Sequence, residues 1–298
     1  MIPRAQIRLL PDGHRLHLND GPIDLIIEAF GATNHIQLAY RAAAVRFVTV
    51  LDELCAELPL LRREPNAGCW PTGVIARRMA GAVMPYSPET FITPMAAVAG
   101  AVAEEILQAM TNAATLDKAY VNDGGDIAIH LEPCQHFVVG MVERPVGPSL
   151  FGTATLTADQ PVRGIATSGW CGRSFSLGIA DAVTVLADTA AMADAAATII
   201  ANAVDLPSHP AVLRLPARDL APDNDLGERL VTQKVGALTD REISSALSAG
   251  VERTRSLLAT GLIRAAALHL QGQTRVVGDT LQLAQPATVH VERGLVHA

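Results

Sequence analysis

The sequence predicts a mixed α/β (α+β) fold in which helices pack on sheets. Short apolar runs separated by Gly, Pro, Asn and Asp predict strands joined by turns. Longer segments repeat apolar residues every three or four positions, which predicts helices. Hydrophobic residues make up 49% of the 298 residues and charged residues 18%. Such a chain can bury a large core, so intrinsic disorder is excluded.

The first 63 residues predict three strands followed by a long helix. Apolar residues at 7–10 and 14–18 flank Pro11-Asp12-Gly13, which is a turn signal, and residues 22–30 form a third apolar run. From residue 35 to about residue 63 the apolar spacing becomes helical. The positions that carry this pattern are Leu38, Ala42, Val45, Val48, Leu51 and Leu54.

The middle of the chain predicts a loop, two Ala-rich helices and most of the strands. Residues 64–92 are rich in Pro, Gly and Arg and predict a loop with one short element. Thr93 and Pro94 predict the N-cap and the first residue of a helix that runs to about residue 113. A third helix is predicted over residues 189–204. The predicted strands between these helices are 119–121, 127–131, 137–142, 151–156, 164–167 and 182–186.

The last part of the chain begins with a predicted Pro-rich linker at residues 206–222. A helix is predicted over residues 240–270, and strands at 274–277 and 288–291. Strands from both halves of the chain are expected to share sheets. We therefore expect a single domain over residues 1–298 rather than two independent domains joined at the linker.

Composition and charge exclude several classes of partner. Lys and Arg total 23 against 30 Asp and Glu, giving a net charge of -7 with no basic block, so nucleic-acid binding is not expected. Residues 182–204 are the most apolar stretch, but Asp188 and Asp194 interrupt it, so no membrane span is expected. The four cysteines show no CxxC spacing and the N-terminus has no apolar signal segment. We therefore expect a cytoplasmic protein with reduced thiols.

The predicted helix at residues 189–204 carries one polar stripe on an otherwise apolar sequence. Asp194, Thr198 and Asn202 are spaced at i, i+4 and i+8, which puts them on one face. The stripe is either the solvent side of an amphipathic helix or a functional face. Short side chains in place of Lys, Glu or Arg favour the functional face. A carboxylate and a hydroxyl one turn apart offer the hard oxygen atoms that suit magnesium.

Two glycine-rich segments are candidate ligand contacts. Residues 122–126 read Asn-Asp-Gly-Gly-Asp, which indicates a hairpin turn. In the functional interpretation, Gly124 and Gly125 let a ligand lie against the backbone, where amide groups bind a phosphate or a base edge. Residues 164–178 are either a glycine-rich strand connection or a phosphate-binding loop in which Arg173 is the charge partner.

Together the three segments resemble the ApbE superfamily, the FAD:protein FMN transferases, and most of all its short, soluble branch. In that family a helix written A-D-x-x-x-T supplies an Asp and a Thr that bind magnesium, and Ala193-Asp194-x-x-x-Thr198 matches it. The family's Gly-Gly-Asp turn, which lies against the flavin nucleotide, resembles Gly124-Gly125-Asp126. Its Thr-Ser-Gly strand end resembles Thr167-Ser168-Gly169. The resemblance implies an ApbE-like, T-fold-like architecture of mixed sheets with packed helices, with magnesium and FAD or a related nucleotide as ligands.

Two positions depart from the family pattern. The Lys of the family's I-A-K-G-Y-A helix is Ala99 here, although Gly100 remains. The family's H-x-x-D-P-x-T-G segment has no counterpart around Arg173, which binds phosphate but does not shuttle a proton at neutral pH. These departures weigh against transfer of FMN to a protein threonine and leave the magnesium–pyrophosphate site in place.

Three functional interpretations remain open. The first is a magnesium-dependent, FMN-transferase-like enzyme that acts on FAD or another phosphorylated cofactor and an acceptor protein, with Asp126 or Asp181 as general base. The second is a ligand-binding or cofactor-biosynthesis accessory protein that kept the fold and lost the transfer chemistry. The third is a homodimer whose Ala-rich helices form the interface. Under the first, Asp194 and Thr198 face a cleft and lie near the Gly124-Gly125 turn.

Overall fold

A computed structural model describes residues 4–87, 89–142, 150–278, 281–283 and 295–297. The chain divides into two compact units, which are treated separately below. Unit 1 comprises Met1–His136, Thr157–Ile165 and Asp188–Ala193. Unit 2 comprises Phe137–Leu156, Ala166–Ala187 and Asp194–Ala298. The predicted α/β class is confirmed, and the assignment of residues 1–298 to a single domain stays a prediction.

Unit 1 contains an antiparallel sheet in the order β1-β2-β3-β4-β5, which continues to the start of β8. Alternate residues of β2 and β3 are buried, so one face of these strands forms core. All of the strands predicted in this region are confirmed within a few residues. Their bounds are β1 Gln6–Leu9, β2 Leu16–Asp20, β3 Ile23–Phe30, β4 Lys118–Asp123, β5 Asp126–Leu131 and β8 Gly164–Ser168.

Three α-helices accompany this sheet in unit 1: α1 Thr33–Leu61, α2 Val74–Val83 and α3 Val98–Ala113. α1 packs on β2, β3 and α3. The short element predicted within residues 64–92 is α2, whose six buried residues make it a core helix. Thr93 is an N-cap as predicted, since its hydroxyl accepts from the Met95 amide at 3.3 Å, but it caps a 3-10 turn, Pro94–Ala97, that precedes α3.

Unit 2 contains the later strands of the chain and two of its longer helices. One sheet runs β8-β9-β12-β13, and every residue of β9 and β12 is buried, as expected for strands covered on both faces. A second sheet has the order β14-β7-β6-β15. α6 packs on β12 and β13. The bounds are β6 His136–Val142, β7 Leu150–Thr157, β9 Ala182–Ala187, α4 Ala190–Ala203, α6 Asp240–Ala259, β12 Ala265–Leu270, β13 Gln273–Val277, β14 Leu281–Leu283 and β15 Leu295–His297.

Two predictions for the last third of the chain are wrong. The segment predicted as a linker contains β10, Val212–Pro216, and α5, Ala217–Leu220, and β10 pairs with β11, Leu230–Val235. The helix predicted over residues 240–270 ends at Ala259. Residues 265–270, the end of the predicted range, form the strand β12 instead. The helix stops because Gly261 takes a φ of +75° and its amide donates to the Leu258 carbonyl, while the Leu262 amide donates to the Leu257 carbonyl. The strand predicted at residues 288–291 lies outside the described residues.

Candidate functional site

The Gly124-Gly125 segment is a tight hairpin turn in unit 1. Both glycines have positive φ values, +65° and +112°, which a side chain would strain. The Gly125 amide donates to the Asn122 side chain at 2.8 Å, and Asp126 pairs with Asp123 across the hairpin. The hairpin interpretation is therefore confirmed. Contact of this turn and of the half-buried Asp126 with a nucleotide stays a prediction.

The Thr167-Ser168-Gly169 segment in unit 2 forms the end of β8 and the residue after it. The Thr167 hydroxyl lies 2.9 Å from the Thr184 hydroxyl on β9, and Ser168 is half-buried. At Gly169 a Cβ would lie 2.2 Å from the Asp181 carbonyl oxygen, so only glycine fits this close approach of two backbone segments. The hydroxyl groups of Thr167 and Ser168 thus come just before the point at which these two backbone segments are in close contact. Their predicted role in holding a nucleotide remains untested.

Asp181 has a structural role within the same unit. One carboxylate oxygen accepts from Trp170 Nε1 at 3.0 Å, and the other accepts from the Gln271 amide at 2.6 Å. Its own amide donates to the His269 carbonyl at 3.0 Å. The buried carboxylate therefore joins the loop after β8 to the turn after β12. Arg173, the predicted phosphate partner, lies on the exposed part of the loop between β8 and β9.

α4 carries the predicted metal ligands. Asp194 and Thr198 are half-buried, whereas the alanine and isoleucine residues on the rest of this helix are mostly buried. The third member of the stripe, Asn202, has a structural role: its side-chain oxygen accepts from the Leu177 amide at 2.9 Å and from the Ser176 hydroxyl at 3.3 Å. None of the three is fully exposed, which argues against a solvent-facing stripe.

The donor atoms on α4 fit magnesium better than a softer metal. A carboxylate and a hydroxyl are hard oxygen ligands, and magnesium is commonly held by one or two carboxylates together with water and substrate phosphates. In the described ranges no three His, Cys, Asp or Glu side chains cluster as a metal site. A magnesium ion held by Asp194 and Thr198 would therefore take its other oxygen ligands from backbone carbonyls, water or a bound phosphate.

Sequence analysis missed one of the residues that hold the start of α4, Glu104. In unit 1, a Glu104 carboxylate oxygen accepts from the Ala191 amide at 2.7 Å, and the other oxygen lies 2.9 Å from Arg78 Nε. Thr189 caps the helix, since its hydroxyl accepts from the Met192 amide at 3.3 Å. A negative charge at a helix N-terminus is favourable. The available sequence signal was the pair Glu104 and Glu105 in an Ala-rich helix. Nothing in the neighbouring sequence indicates that Glu104 binds the amide of residue 191.

Two glycines bring backbone against this same helix start. A Cβ at Gly100 on α3 would lie 2.3 Å from the Ala190 carbonyl oxygen, and a Cβ at Gly164 on β8 would lie 2.1 Å from the Thr189 carbonyl oxygen. Both contacts lie within unit 1. They account for the retention of Gly100 on packing grounds alone.

The predicted site residues are divided between the two units. Gly124, Gly125 and Asp126 belong to unit 1. The remaining candidates belong to unit 2, and these are Thr167, Ser168, Gly169, Arg173, Asp181, Asp194 and Thr198. The expected closeness of Asp194 to the Gly124-Gly125 turn therefore stays a prediction. Within the described ranges, no helix combines the length and the apolar character needed to cross a membrane.

Comparison with known proteins places the sequence in a family. A family model described as AbpE bacteria matches residues 7–276. A UPF0280 protein of Methanothrix thermoacetophila is 36% identical over 177 residues, which cover 57% of this chain and 70% of that protein. A UPF0280 protein of Methanopyrus kandleri is 38% identical over 128 residues, which cover 43% of this chain and about half, 48%, of that protein.

Among solved structures, the chain is similar to the flavin transferase ApbE from Vibrio cholerae. The alignment covers 92% of this chain and 97% of that chain, with 11% sequence identity and a TM-score of 0.37. A TM-score this low supports no inference about the site.

Proposed function

The chain belongs to the AbpE family of bacteria, and on that premise we propose that it is a magnesium-dependent, flavin-nucleotide-binding protein of the FMN-transferase type. The predicted membership of the ApbE superfamily is confirmed by the family match over residues 7–276. The proposed substrate is FAD or another phosphorylated cofactor. The observation that carries the proposal is the pair Asp194 and Thr198, one turn apart and half-buried on a helix whose other residues are mostly buried.

A cation at Asp194 would be held on an otherwise apolar helix. Apart from Asp194, α4 is built of Ala, Ile, Met and Thr up to Asn202. A carboxylate is a preferred ligand of a hard divalent cation, and Thr198 would supply a second oxygen on the same face.

The remaining candidates have complementary roles in this proposal. When bound, magnesium would neutralise charge on the phosphate oxygens. Thr167 and Ser168 would donate hydroxyl hydrogen bonds to the nucleotide, and Arg173 would bind a phosphate. The Gly124-Gly125 turn would contact the nucleotide through its backbone amides. Gly169 would keep the Thr167-Ser168 strand end in place.

Asp126 and Asp181 are the two candidate bases in this proposal. Both carboxylate oxygens of Asp181 already accept hydrogen bonds, from Trp170 and Gln271. Deprotonating a threonine hydroxyl requires a carboxylate oxygen within hydrogen-bond reach of it. Asp126 is half-buried at the start of β5, beside the glycine turn.

A second candidate function is nucleotide binding without transfer, in an accessory protein. The observation that favours it is the pair of departures from the family pattern, Ala99 and the loop around Arg173. Arg173 lies on an exposed loop and is charged at all physiological pH values, so it does not replace a histidine that carries a proton. Both candidates require the same nucleotide site, and they differ only in whether FMN reaches an acceptor protein.

Calorimetric titration of the full chain with FAD, with and without magnesium, tests the shared site. We expect binding that depends on magnesium and that weakens at least about tenfold in Asp194→Ala and in Thr198→Val, since each loses one metal ligand. Asp219→Ala, which removes an exposed carboxylate on α5, is the matched control and should bind as the original protein does. Equal FAD affinity of Asp194→Ala and the original protein would overturn the proposal.

A second assay separates the two candidates. The protein is incubated with FAD, magnesium and a threonine-bearing acceptor protein, and the acceptor is weighed by mass spectrometry. A mass gain of one FMN less one water, with AMP released as the leaving group, identifies a transferase. FAD binding without any mass gain identifies the accessory protein.

A further inference from the structure

Helix α1 carries a second apolar face that is exposed in the described part of the chain. The face comprises Leu38, Arg41, Ala42, Val45, Val48, Thr49 and Asp52, and is called the outer stripe below. Leu38 is 47% exposed, Val45 70% and Val48 49%. The buried side of the same helix is formed by other residues, namely Ala39, Ala43, Phe47, Val50, Leu54 and Leu61. The two faces lie on nearly opposite sides of α1, because successive helical residues are about 100° apart.

The outer stripe has the spacing of a helix–helix seam. Its apolar residues recur at steps of three and four, from Leu38 through Ala42 and Val45 to Val48. This is the narrow pattern that packs one helix against another, and surface helices ordinarily place Lys and Glu at such positions. A helix with two apolar faces is typical of an element held between two partners. The sheet of unit 1 covers the first face.

The edge strand β1 extends this surface. Ile7 and Leu9 are exposed apolar residues on β1. They pair across the strands with Leu18 and Leu16, so they point to the same side of the sheet as those two residues. Arg4, just before β1, donates to the Asp52 carboxylate at 2.8 Å, which puts the start of β1 beside the outer stripe. Contiguous apolar surface of this kind marks an interaction site.

We propose that the outer stripe of α1 binds the outer stripe of a second copy of this chain, with the two helices antiparallel. The argument for a second copy is charge complementarity. The stripe has two charged residues, Arg41 and Asp52, of opposite sign, and the midpoint between them falls between residues 46 and 47. A twofold axis at that midpoint sets Arg41 against the partner's Asp52 twice, about 8 Å on either side of the axis.

The same axis matches the apolar residues. Val45 meets the partner's Val48 near the axis, and Arg46, which borders the stripe there, is already ion-paired with Glu53 and Glu105. In the described part of the chain Arg41 makes no ion pair, and the Asp52 side chain is 68% exposed although it binds Arg4. Both charges are therefore accessible to a partner. A parallel arrangement would instead set Arg41 against Arg41 and Asp52 against Asp52, which is repulsive.

This interface differs from the one in the third sequence interpretation, which placed the Ala-rich helices at the contact. The alanine residues of α4 are buried almost completely within the chain, and those facing inward on α3 are buried too. The dimer proposed on α1 is independent of the proposed nucleotide site, because every residue it uses belongs to unit 1 and none is a candidate ligand contact.

Sedimentation equilibrium of the full chain tests the proposal. At tens of micromolar we expect a mass about twice the chain mass of 31.4 kDa. Val45→Glu should raise the dimer dissociation constant at least about a hundredfold, because it places two unpaired carboxylates at the centre of an apolar interface. The matched control is Val74→Glu on α2, since Val74 is 47% exposed but lies outside the stripe, and it should stay dimeric. Circular dichroism melting of both variants verifies that they fold.

A charge swap tests the antiparallel arrangement. Arg41→Asp sets two carboxylates against each other and should weaken the dimer about tenfold, and adding Asp52→Arg should restore the affinity. A monomeric original protein would overturn the proposal, and so would a Val45→Glu variant as dimeric as Val74→Glu. A double variant no tighter than Arg41→Asp alone would overturn the antiparallel arrangement.

Discussion

Replacing Gly100 with alanine should destabilise the protein, although alanine is ordinarily the better helix former. A Cβ at Gly100 would lie 2.3 Å from the Ala190 carbonyl oxygen and 2.7 Å from the Ala191 amide nitrogen. These are backbone atoms, so no side chain can rotate out of the way. The Ala191 amide is also fixed by its 2.7 Å hydrogen bond to Glu104. Relief of the clash therefore requires α3 or the start of α4 to move.

The size of the effect follows from two opposing terms. Overpacking a buried site costs about 1–3 kcal/mol, and a contact more than 1 Å too short against fixed backbone belongs at the upper end. Alanine in place of glycine in a helix returns about 1 kcal/mol. The expected net loss is about 2 kcal/mol, which lowers Tm by roughly 3 °C for a chain of 298 residues.

Gly81 provides the matched control. It lies inside α2, it is exposed, and a Cβ there would meet no atom within 4 Å. Gly81→Ala should therefore gain about 1 kcal/mol from helix propensity alone. Urea unfolding followed by circular dichroism measures both variants, and their free energies of unfolding should differ by about 3 kcal/mol. The reasoning is refuted if Gly100→Ala is as stable as Gly81→Ala.

Two further predictions concern Asp181 and Glu242. Asp181→Asn keeps one acceptor oxygen for the two donors Trp170 Nε1 and the Gln271 amide. The free energy of unfolding in urea should therefore fall by about 1–3 kcal/mol. The control Asp219→Asn, on the surface, should change that free energy by less than about 0.5 kcal/mol. The Thr239 backbone amide, with the Thr239 hydroxyl and His209, lowers the pKa of Glu242 from its ordinary value of 4.5 to about 2. Since the folded pKa is the lower one, this carboxylate stabilises the fold above about pH 4.5 and loses that effect as the pH falls to about 2. The melting temperature of the original protein should fall as the pH is lowered through this range, and that of Glu242→Gln should fall less. Equal falls in the two proteins would contradict the assignment.

Strands with local signals were predictable, and strands without them were not. β1 to β5 alternate or end in Gly-containing turns, which are properties of neighbouring residues. β12, Ala265–Leu270, is buried at every position, so it lacks alternation and its apolar run continues the pattern of α6. Periodicity cannot separate a short apolar strand from a helix in that case. The glycine after α6, Gly261, was the available stop signal.

For α1 the sequence predicted a helix but not its environment. Leu38, Val45 and Val48 helped to indicate the helix, yet all three are exposed. The buried face is formed instead by Ala39, Ala43, Phe47, Val50, Leu54 and Leu61. A helix with two apolar faces satisfies the periodicity rule on either side, so only the tertiary contacts decide which face the sheet covers.

The candidate site shows the same limit at longer range. The A-D-x-x-x-T motif located Asp194 and Thr198, and α4 is found there with both residues half-buried. Glu104 could not be inferred, because it binds the start of α4 from 87 positions earlier in the chain. Asp181 satisfied the chemical requirement for a base, but its hydrogen bonds to Trp170 and Gln271 depend on a fold that the sequence pattern does not display.

The departures from the family pattern separate positioning from chemistry. Gly100 is retained where backbone of α3 meets backbone of α4, and any side chain there would displace the helix that carries Asp194 one turn later. Ala99, beside it, replaces the family's Lys and is only half-buried, so its identity does not affect this contact. The packing that fixes the start of α4 therefore constrains residue 100 and leaves residue 99 free to change. A chain under these constraints keeps the position of the start of α4 whether or not it keeps the Lys and His of the family pattern, which is why binding and transfer have to be measured separately.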